Sequence, residues 1–501
     1  MGSSQAEVEA DKLKVIFVPF LSTSHIIPIV DIGRLFAMHG VDVTIITTPV
    51  AASIFQNSID RDTARGHSIR THIIKFPASQ VGLPEGVETF NADTPPGMIA
   101  KIAQGLSMLK EEMEQLFEDL EADCIVTDMF YPWTADAAAK LGIPRLIFLG
   151  GSYLAHSAQH SVKNYMPHKE IGSDTEKFNL PGLPHKLEMT LLQLPDWLRA
   201  TTGYTYLMEM IRDSEKKSYG SLFDSFNELE GTYQEHYKKA TGTKSWSLGP
   251  VSLWVNQDAS DKAGRGNGKA EEEDKGQGWL EWLNSKPDNS VLYVSFGSMS
   301  KFPSSQLVEI AQALEESGHD FIWVIKKKDE SEEDSFLEEF EKRVKASKKG
   351  YLIWGWAPQL LILENKAIGG LVTHCGWNTI IESVNAGFPM ATWPLFAEQF
   401  FNEKLVTDVL KIGVAVGAKE WRNWNDFGKE VVKKDEIGKA IALLMSSGEG
   451  EDMRRRVTAL GDAAKRAVQG GGSSQANMLE LVQELKELKL QRVNSNVTAI
   501  P

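Results

Sequence analysis

The sequence predicts an α/β protein that contains two doubly wound parallel sheets. Short apolar runs rich in β-branched residues alternate with longer stretches whose apolar residues recur at three- and four-residue spacing. The alternation breaks off near residue 150 and resumes near residue 290. Strands that are apolar throughout and are separated by helices are typical of parallel sheets covered by helices on both faces. A chain of 501 residues is long enough for two such units.

The first unit contains five predicted strands, and a helical pattern from Ile29 to Phe36 follows the first of them. These strands cover 15–18, 41–46, 71–74, 124–126 and 145–148. The second unit contains a further five, over 291–294, 321–325, 351–354, 371–373 and 390–393. A final amphipathic helix covers about 474–490.

The segment between the two units is rich in Gly, Lys and Glu. Such a segment cannot bury enough apolar surface to offset its ordering entropy, so we expect a flexible linker over 256–276. This places one Rossmann-like domain at 1–255, a second at 277–473 and a C-terminal helix and tail at 474–501.

Composition excludes several classes of function. The net charge of −15, from 53 basic and 68 acidic residues, argues against nucleic-acid binding and against attraction to anionic membranes. The two cysteines, Cys124 and Cys375, are too few for a disulfide framework or a cysteine-built zinc site. The polar N-terminus lacks the pattern of a signal peptide, and no apolar run reaches the ~18 residues of a membrane span. We therefore expect a cytoplasmic protein without a membrane span.

Common catalytic motifs are also missing. No G-x-G-x-x-G follows Val18, and the sequence has neither a Walker loop nor a G-x-S-x-G nucleophile elbow. His156 and His160 have the spacing of a zinc-binding helix, but Ser157 stands where the catalytic Glu would be, which favours two ordinary helical histidines. We interpret the Asp60-Arg61-Asp62 run as a solvated loop and expect no metal site.

The densest functional signal runs from Trp356 to Gln399. Trp356 offers a flat face on which a base could stack, and the segment 374–379 joins a buried strand to a helix. Free amides at the start of that helix, with Gly376 allowing close approach, would form an anion site suited to a diphosphate. The segment resembles the signature box of plant family 1 UDP-dependent glycosyltransferases, because WAPQ, HCGWN, ES-x-x-x-G-x-P and P-x-x-x-x-Q stand in that family's order and spacing.

The resemblance covers nearly the whole chain and implies the GT-B fold, in which two Rossmann-like domains face each other across a cleft. It implies that 1–255 binds the acceptor, that 277–473 binds the UDP-sugar and that 474–501 packs back on the N-terminal domain. The residues that it assigns to the donor are Trp356 and Ala357 at uracil, Gln359 and Glu382 at ribose, Ser298, His374, Gly376, Asn378 and Thr379 at the phosphates, and Trp377, Glu398 and Gln399 at the transferred sugar.

The same resemblance implies a catalytic pair of His25 and Asp128, although Ser24 replaces the glycine that the family usually has before the histidine. Neutral His25 would remove the proton of an acceptor hydroxyl while Asp128 orients the ring. The oxygen would attack the anomeric carbon from the face opposite UDP and invert its stereochemistry. The helix terminus would stabilise the leaving diphosphate, so we expect neither metal nor cofactor, with the UDP-sugar as co-substrate.

Stretches such as QVGLPEG, LPDWLR and NEKLVTDVLKIGVAVGAKEW are similar to legume triterpenoid saponin glycosyltransferases, the group of the soyasapogenol glucuronide galactosyltransferases. The similarity implies a triterpenoid or triterpenoid glycoside acceptor, with sugar-chain extension on a glucuronide. A flavonoid or phenol glucosyltransferase, and a non-catalytic UDP-sugar-binding protein, stay open as alternatives. As in most of the family, we expect a monomer.

The donor sugar and the acceptor pocket are less closely defined. In this family Gln399 favours UDP-glucose over UDP-galactose, whereas a cation such as Arg34 could pair with the carboxylate of UDP-glucuronic acid, so all three donors stay open. Apolar residues that could line the acceptor site are Trp133, Phe148, Tyr153, Trp197 and Met208.

Overall fold

The computed structural model describes residues 12–91, 94–266, 278–326, 334–424, 426, 428 and 430–498. Within these residues, no helix is both long enough and apolar enough to cross a membrane.

The strands follow one another in two groups, and a short hairpin interrupts the first group. In chain order they are β1 (Lys14–Val18), β2 (Asp42–Thr47), β3 (Ile69–Ile73), β4 (Cys124–Asp128), β5 (Arg145–Phe148), β6 (Phe178–Asn179), β7 (Glu188–Met189), β8 (Gly220–Phe223), β9 (Ser245–Ser247), β10 (Val291–Ser295), β11 (Asp320–Ile325), β12 (Gly350–Trp354), β13 (Ile368–Thr373), β14 (Met390–Thr392) and β15 (Gly413–Ala415).

These strands form two parallel sheets. The first has the order β3-β2-β1-β4-β5-β8-β9 and the second the order β12-β11-β10-β13-β14-β15, while β6 and β7 pair separately and antiparallel. In each sheet the first strand lies in the interior, where the direction of winding reverses: β1 pairs with β2 and β4, and β10 with β11 and β13. At such a reversal the loops after the strands diverge and leave a crevice for a ligand. The predicted pair of Rossmann-like sheets is confirmed.

Helices cover both sheets. Those that precede the second sheet are Thr23–Met38, Pro49–Ser53, Gln56–Ala64, Pro96–Met108, Lys110–Asp119, Thr134–Leu141, Tyr153–Tyr165, Asp196–Arg199, Gly203–Lys217, Asn227–Thr241, Val251–Val255 and Ala259–Gly264. The later ones are Gly278–Asn284, Ser304–Glu316, Asp334–Ser347, Gln359–Leu363, Trp377–Ala386, Gln399–Lys404, Lys434–Leu444, Glu449–Ala467 and Ser473–Thr498, with a π-helical turn at Leu405–Val409.

The last helix, Ser473–Thr498, returns to the first sheet. Leu481 is fully buried in the apolar core that surrounds that sheet. Lys244 Nζ lies 2.8 Å from Glu484 Oε2, and Arg492 Nη2 lies 2.5 Å from Asp123 Oδ1. Apolar burial and ion pairs therefore hold the C-terminal helix against the first half of the chain.

The segment after Val255 differs from the unstructured linker that its composition predicts. Its start is helical over Ala259–Gly264, and Asp258 caps this helix by accepting a hydrogen bond from the Asp261 amide. The acidic side chains of this short helix pair with Arg61 and Arg65 of the helix Gln56–Ala64 and its C-cap, and a composition argument cannot foresee such partners. Residues 267–277, which complete the predicted linker, lie outside the described residues.

Two interpretations of charged residues are wrong. Asp60, Arg61 and Asp62 belong to the helix Gln56–Ala64 and not to a solvated loop, and Asp62 is 4 % exposed. Arg34 is 1 % exposed and donates to both carboxylate oxygens of Asp62, at 2.5 and 3.2 Å. A guanidinium held in this way stabilises the packing of two helices, so it is not available to pair with a sugar carboxylate.

Candidate active site

A cavity of about 1070 Å³ lies between the carboxyl ends of the two sheets. Its wall includes residues of the loop after β1, of the loop after β10 and of the segment from Trp354 to Gln399. Both halves of the chain therefore contribute side chains to the same cavity, at the place where two facing α/β sheets bind ligands.

His25 and Asp128 come together at this cavity although they lie far apart in the sequence. His25 is in the first turn of the helix that follows β1, and Asp128 is the last residue of the adjacent strand β4. His25 Nδ1 lies 2.7 Å from Asp128 Oδ2, and the other oxygen of Asp128 accepts the amide of Phe130 at 3.0 Å. The Asp128 side chain is fully buried, whereas His25 is 21 % exposed and lines the cavity. Within the described part of the chain, His25 Nε2 makes no hydrogen bond and is left to a ligand.

The surroundings of His25 stabilise its protonated form. Burial by itself would lower the pKa of His25, but the charge and hydrogen bond of Asp128 and the charge of Glu398 outweigh it, so the pKa lies above 6.5. Glu398 is partly buried, and desolvation raises the pKa of its carboxyl group. The imidazole is therefore arranged to accept and hold a proton in a largely apolar site.

The helix Trp377–Ala386 points its N-terminus into the cavity. Gly376 is its N-cap, and a Cβ at this position would lie 2.5 Å from His374 Nε2. Gly297, after β10, has φ +71°, and a Cβ there would lie 2.6 Å from the same ring. The His374 ring is thus held between two glycine backbones, and burial lowers its pKa to about 4. A neutral imidazole and free helix amides together form a site for an anion.

A second group of polar and aromatic side chains lies beside this helix. Trp356 follows β12 and is 39 % exposed, which is unusual for so large an apolar side chain. Gln359 Nε2 donates to Glu382 Oε2 at 2.7 Å and lies 3.4 Å from Thr379 Oγ1, while Ala357 is buried beneath the loop. All five side chains line the cavity, so an aromatic face and a pair of hydrogen-bonding groups flank the anion site.

The other donor-site candidates lie where the two halves meet. Trp377 Nε1 donates to the Asp224 carbonyl at 2.8 Å, and Asn378 Nδ2 donates to the Ser24 carbonyl at 2.9 Å. Gln399 Oε1 accepts the amides of Leu395 and Phe396, which leaves its NH₂ group available to donate. Ser298 and Glu398 complete this part of the cavity wall.

The apolar part of the cavity belongs to the first half of the chain. Of the predicted acceptor residues, Trp133, Trp197 and Met208 line it. Phe148 does not: it is 1 % exposed in the core around β5, and Tyr153 is likewise fully buried. Aromatic and aliphatic lining residues that the sequence did not single out are Phe20, Phe90, Ile99, Leu106, Phe130, Tyr204 and Leu207. Two of these residues, Phe20 and Phe130, could have been predicted, because they follow the carboxyl ends of β1 and β4.

The histidine pair of the helix Tyr153–Tyr165 does not form a metal centre in the described structure. Burial lowers the pKa of His156 to about 4, and His160 is within 3.2 Å of Asn164. No group of three or more His, Cys, Asp or Glu side chains that could hold a metal ion occurs in the part of the chain that the structure describes.

Comparison with known proteins agrees with this geometry. A family model described as UDP-glucoronosyl and UDP-glucosyl transferase matches residues 97–424. Soyasapogenol B glucuronide galactosyltransferase of Glycine max is 68 % identical over 487 residues, which cover 97 % of this chain and 98 % of that protein. The chain belongs to the family of UDP-glucoronosyl and UDP-glucosyl transferases and is a UDP-glycosyltransferase, as the signature box predicts.

Two solved structures support the fold assignment. UGT73P12 of Glycyrrhiza uralensis, complexed with glycyrrhetinic acid 3-O-monoglucuronide, superposes with a TM-score of 0.94 at 64 % identity and covers 97 % of this chain and 98 % of its own. UGT71G1 of Medicago truncatula, complexed with UDP-glucose, gives a TM-score of 0.77 at 24 % identity over 95 % of this chain and 98 % of its own, a likeness of fold alone. The GT-B fold is therefore confirmed.

Proposed function

We propose that this enzyme transfers a sugar from a UDP-sugar to a hydroxyl group of a triterpenoid monoglucuronide and so lengthens the sugar chain of a saponin. The observation that carries the acceptor class is the 64 % identity, at a TM-score of 0.94, with a structure that holds a triterpenoid monoglucuronide. The 68 % identical soybean relative is named for a glucuronide acceptor of the same chemical class. The apolar lining on the His25 side of the cavity suits a bulky, rigid hydrocarbon skeleton.

In the proposed mechanism, His25 is the general base. Its Nε2 takes the proton from the acceptor hydroxyl, while Asp128 holds Nδ1 and stabilises the imidazolium that forms. The acceptor oxygen bonds to the anomeric carbon as the bond from that carbon to the diphosphate oxygen breaks. UDP leaves with the electron pair of the broken bond, and the configuration of the anomeric carbon is inverted.

The donor would lie along the segment from Trp356 to Gln399. Uracil would stack on Trp356 beside Ala357, the ribose hydroxyls would bond to Gln359 and Glu382, and the sugar would meet Trp377, Glu398 and Gln399. The leaving diphosphate would lie at the N-terminus of the helix Trp377–Ala386, where His374, Asn378, Thr379 and Ser298 surround it. Helix amides and side-chain donors supply the stabilisation that a metal ion gives in other transferases, so we propose metal-independent transfer.

We also propose which domain binds which substrate. We assign the acceptor to residues 1–255 and the donor to residues 277–473, with the tail 474–501 as part of the N-terminal domain. We further propose that the enzyme acts as a monomer in the cytoplasm.

The test is a transfer assay read by mass spectrometry with EDTA present. UDP-glucose, UDP-galactose and UDP-glucuronic acid are each offered with a triterpenoid aglycone, its 3-O-monoglucuronide and a flavonol. We expect a mass increase on the monoglucuronide, and the most productive donor identifies the sugar. Transfer to the flavonol alone would instead assign the enzyme to phenol glucosylation.

The control is the His25→Ala variant, which removes the base and leaves the donor site intact. We expect it to bind UDP like the wild type and to lose transfer by about 10²–10⁴-fold. Full activity in this variant would remove His25 from the mechanism, and loss of UDP binding would assign it a structural role.

A further inference from the structure

The segment of residues 258–266, which we call the linker segment, is fixed to the first half of the chain. Arg61 Nε lies 2.5 Å from Asp261 Oδ1, and Arg65 contacts both Asp261, at 3.1 Å, and Asp258, at 2.7 Å. The Asp261 side chain is 1 % exposed. Two arginines that share a buried carboxylate hold the start of this segment in one place.

The end of the linker segment lies in the cavity wall. Arg265 Nε donates to Asp31 Oδ2 at 2.9 Å, and its Nη1 donates to Glu382 Oε1. Asp31 belongs to the helix Thr23–Met38 of the first half, and Glu382 to the helix Trp377–Ala386 of the second. One guanidinium, 13 % exposed, therefore spans the two halves of the molecule.

The next residue, Gly266, packs against the Trp356 ring in the wall of the same cavity. Gly266 has φ +78°, and a Cβ there would lie 2.6 Å from two carbons of the Trp356 ring and 2.7 Å from Ile27 Cδ1. The backbone of the linker segment thus touches Trp356, while Arg265 touches Glu382. Both contacts fall in the part of the cavity to which the proposed function assigns the nucleoside.

The charges around Arg265 explain why a cation is needed here. Asp31, Asp224 and Glu382 are all at most 6 % exposed. Burial, together with the charges of Asp31 and Glu382, raises the pKa of Asp224 to about 6, and Arg265 opposes this rise. Asp31 also pairs with Arg34, at 3.2 Å. Loss of Arg265 would therefore chiefly leave Glu382 without a cationic partner and remove a positive charge from beside Asp224.

We propose that Arg265 is a positioning residue of the donor site, which holds Glu382 in place for the ribose hydroxyls and offsets the acidic groups that would repel a nucleoside diphosphate. The inference rests on the proposed function, because it takes the region of Trp356, Gln359 and Glu382 as the nucleoside site. Arg265 uses one oxygen of Glu382 and Gln359 the other, yet a carboxylate has about four lone-pair positions and can still accept from a ribose. Arg265 therefore leaves acceptor positions on Glu382 for the ribose of a bound nucleotide.

The test compares Arg265→Gln and Arg265→Lys with the wild type. Calorimetry measures the Kd of UDP without acceptor, and steady-state assays measure KM for the UDP-sugar and kcat. In Arg265→Gln we expect both Kd and KM to rise at least fivefold while kcat stays within twofold, because Arg265 acts on donor binding and not on the proton transfer. Arg265→Lys keeps the charge but lacks the planar fork that reaches two carboxylates, so its Kd should lie between the other two.

The matched control is Arg65→Gln, which removes an arginine that contacts the same segment, through Asp258 and Asp261, but does not contact Glu382. Arg61 still holds Asp261 in this variant, so we expect Kd, KM and kcat within twofold of the wild type. Thermal unfolding of all variants shows whether they are folded. If Arg265→Gln does not fold, Arg265→Lys carries the test, with an expected rise of about twofold to threefold in the Kd of UDP.

An unchanged or lower Kd of UDP in the folded Arg265 variants would overturn the inference, and a lower Kd would mean that Arg265 competes with the nucleotide for Glu382. A fall of kcat with unchanged KM would also overturn it. Failure of the proposed acceptor gives a different result: the wild type would bind UDP but would not modify the monoglucuronide.

Discussion

The Asp128 carboxylate both orients His25 and raises the pKa of its imidazole. His25 Nδ1 contacts Asp128 at 2.7 Å, and Asp128 raises the pKa of the imidazole above 6.5 against the effect of burial. Because a general base must be neutral, kcat/KM should fall as the pH drops through this raised pKa. The acidic limb of the pH profile therefore reports the His25–Asp128 contact.

The Asp128→Asn variant tests this contact. An amide carries no charge, so burial then dominates, the pKa of His25 falls and the acidic limb should move to lower pH. The plateau rate should fall by about 10²–10⁴-fold, because an asparagine can hold the wrong tautomer and does not stabilise the imidazolium. Measurement of kcat/KM against pH shows whether the acidic limb moves, with the Kd of UDP as a control for folding. An acidic limb at the same pH as in the wild type would contradict the role of Asp128 in raising the pKa of His25.

Single residues also show where sequence reasoning reaches its limit. His25 and Asp128 lie 2.7 Å apart in space, and no local spacing shows this, so the resemblance to a known family is needed to pair them. Phe148 is a wrong choice for the cavity because β5 is buried throughout and therefore gives no alternation that would distinguish its faces. The sequence misleads on Arg34 because its partner Asp62 comes from another helix.

At the scale of the element, the helix Trp377–Ala386 is shaped by the glycine at its N-cap. A Cβ at Gly376 would lie 2.5 Å from His374 Nε2, so Gly376→Ala should displace the His374 ring or the helix start. We expect the Kd of UDP to rise about tenfold or more, with a smaller loss of thermal stability. Gly438→Ala is the control, because Gly438 lies inside the helix Lys434–Leu444 and a Cβ there would meet no atom within 4 Å outside its own helix.

The Gly438→Ala control should leave UDP binding unchanged. It should even stabilise the enzyme by about 0.5–1 kcal/mol, since alanine is the better helix former. Equal losses of UDP affinity in both variants would show that a general effect on folding, and not the crowding of His374, is responsible.

The elements themselves are mostly predictable. The strands β1, β5 and β11 give a strong signal because they are largely buried on both faces, and the predicted strands at 15–18, 145–148 and 321–325 agree with them to within a residue. The strands β8, β9 and β15 are not predicted, because Gly or Ser residues interrupt their short apolar runs. The helix Ala259–Gly264 escapes prediction because ion pairs with a distant helix, and not apolar burial, hold it in place.

At the scale of the whole molecule, the helix Ser473–Thr498 completes the apolar core of the first half from the far end of the chain. Leu481 is fully buried there, while Leu479, two residues earlier, is 52 % exposed. Truncation of a buried leucine removes apolar contacts and leaves a cavity, so Leu481→Ala should cost about 2–5 kcal/mol of unfolding free energy. Leu479→Ala removes the same atoms from solvent-exposed surface and should cost less than about 0.5 kcal/mol.

Chemical denaturation of the two leucine variants, followed by fluorescence, measures this difference. The helix packs on the half that we propose binds the acceptor. If the two halves unfold separately, Leu481→Ala should therefore lower the unfolding midpoint of this first half. Bound UDP should stabilise the second half in both variants. Equal stability of Leu481→Ala and Leu479→Ala would show that the C-terminal helix is not part of the core. A loss confined to the transition that UDP protects would instead assign this helix to the donor half and would overturn the division of the chain that we propose.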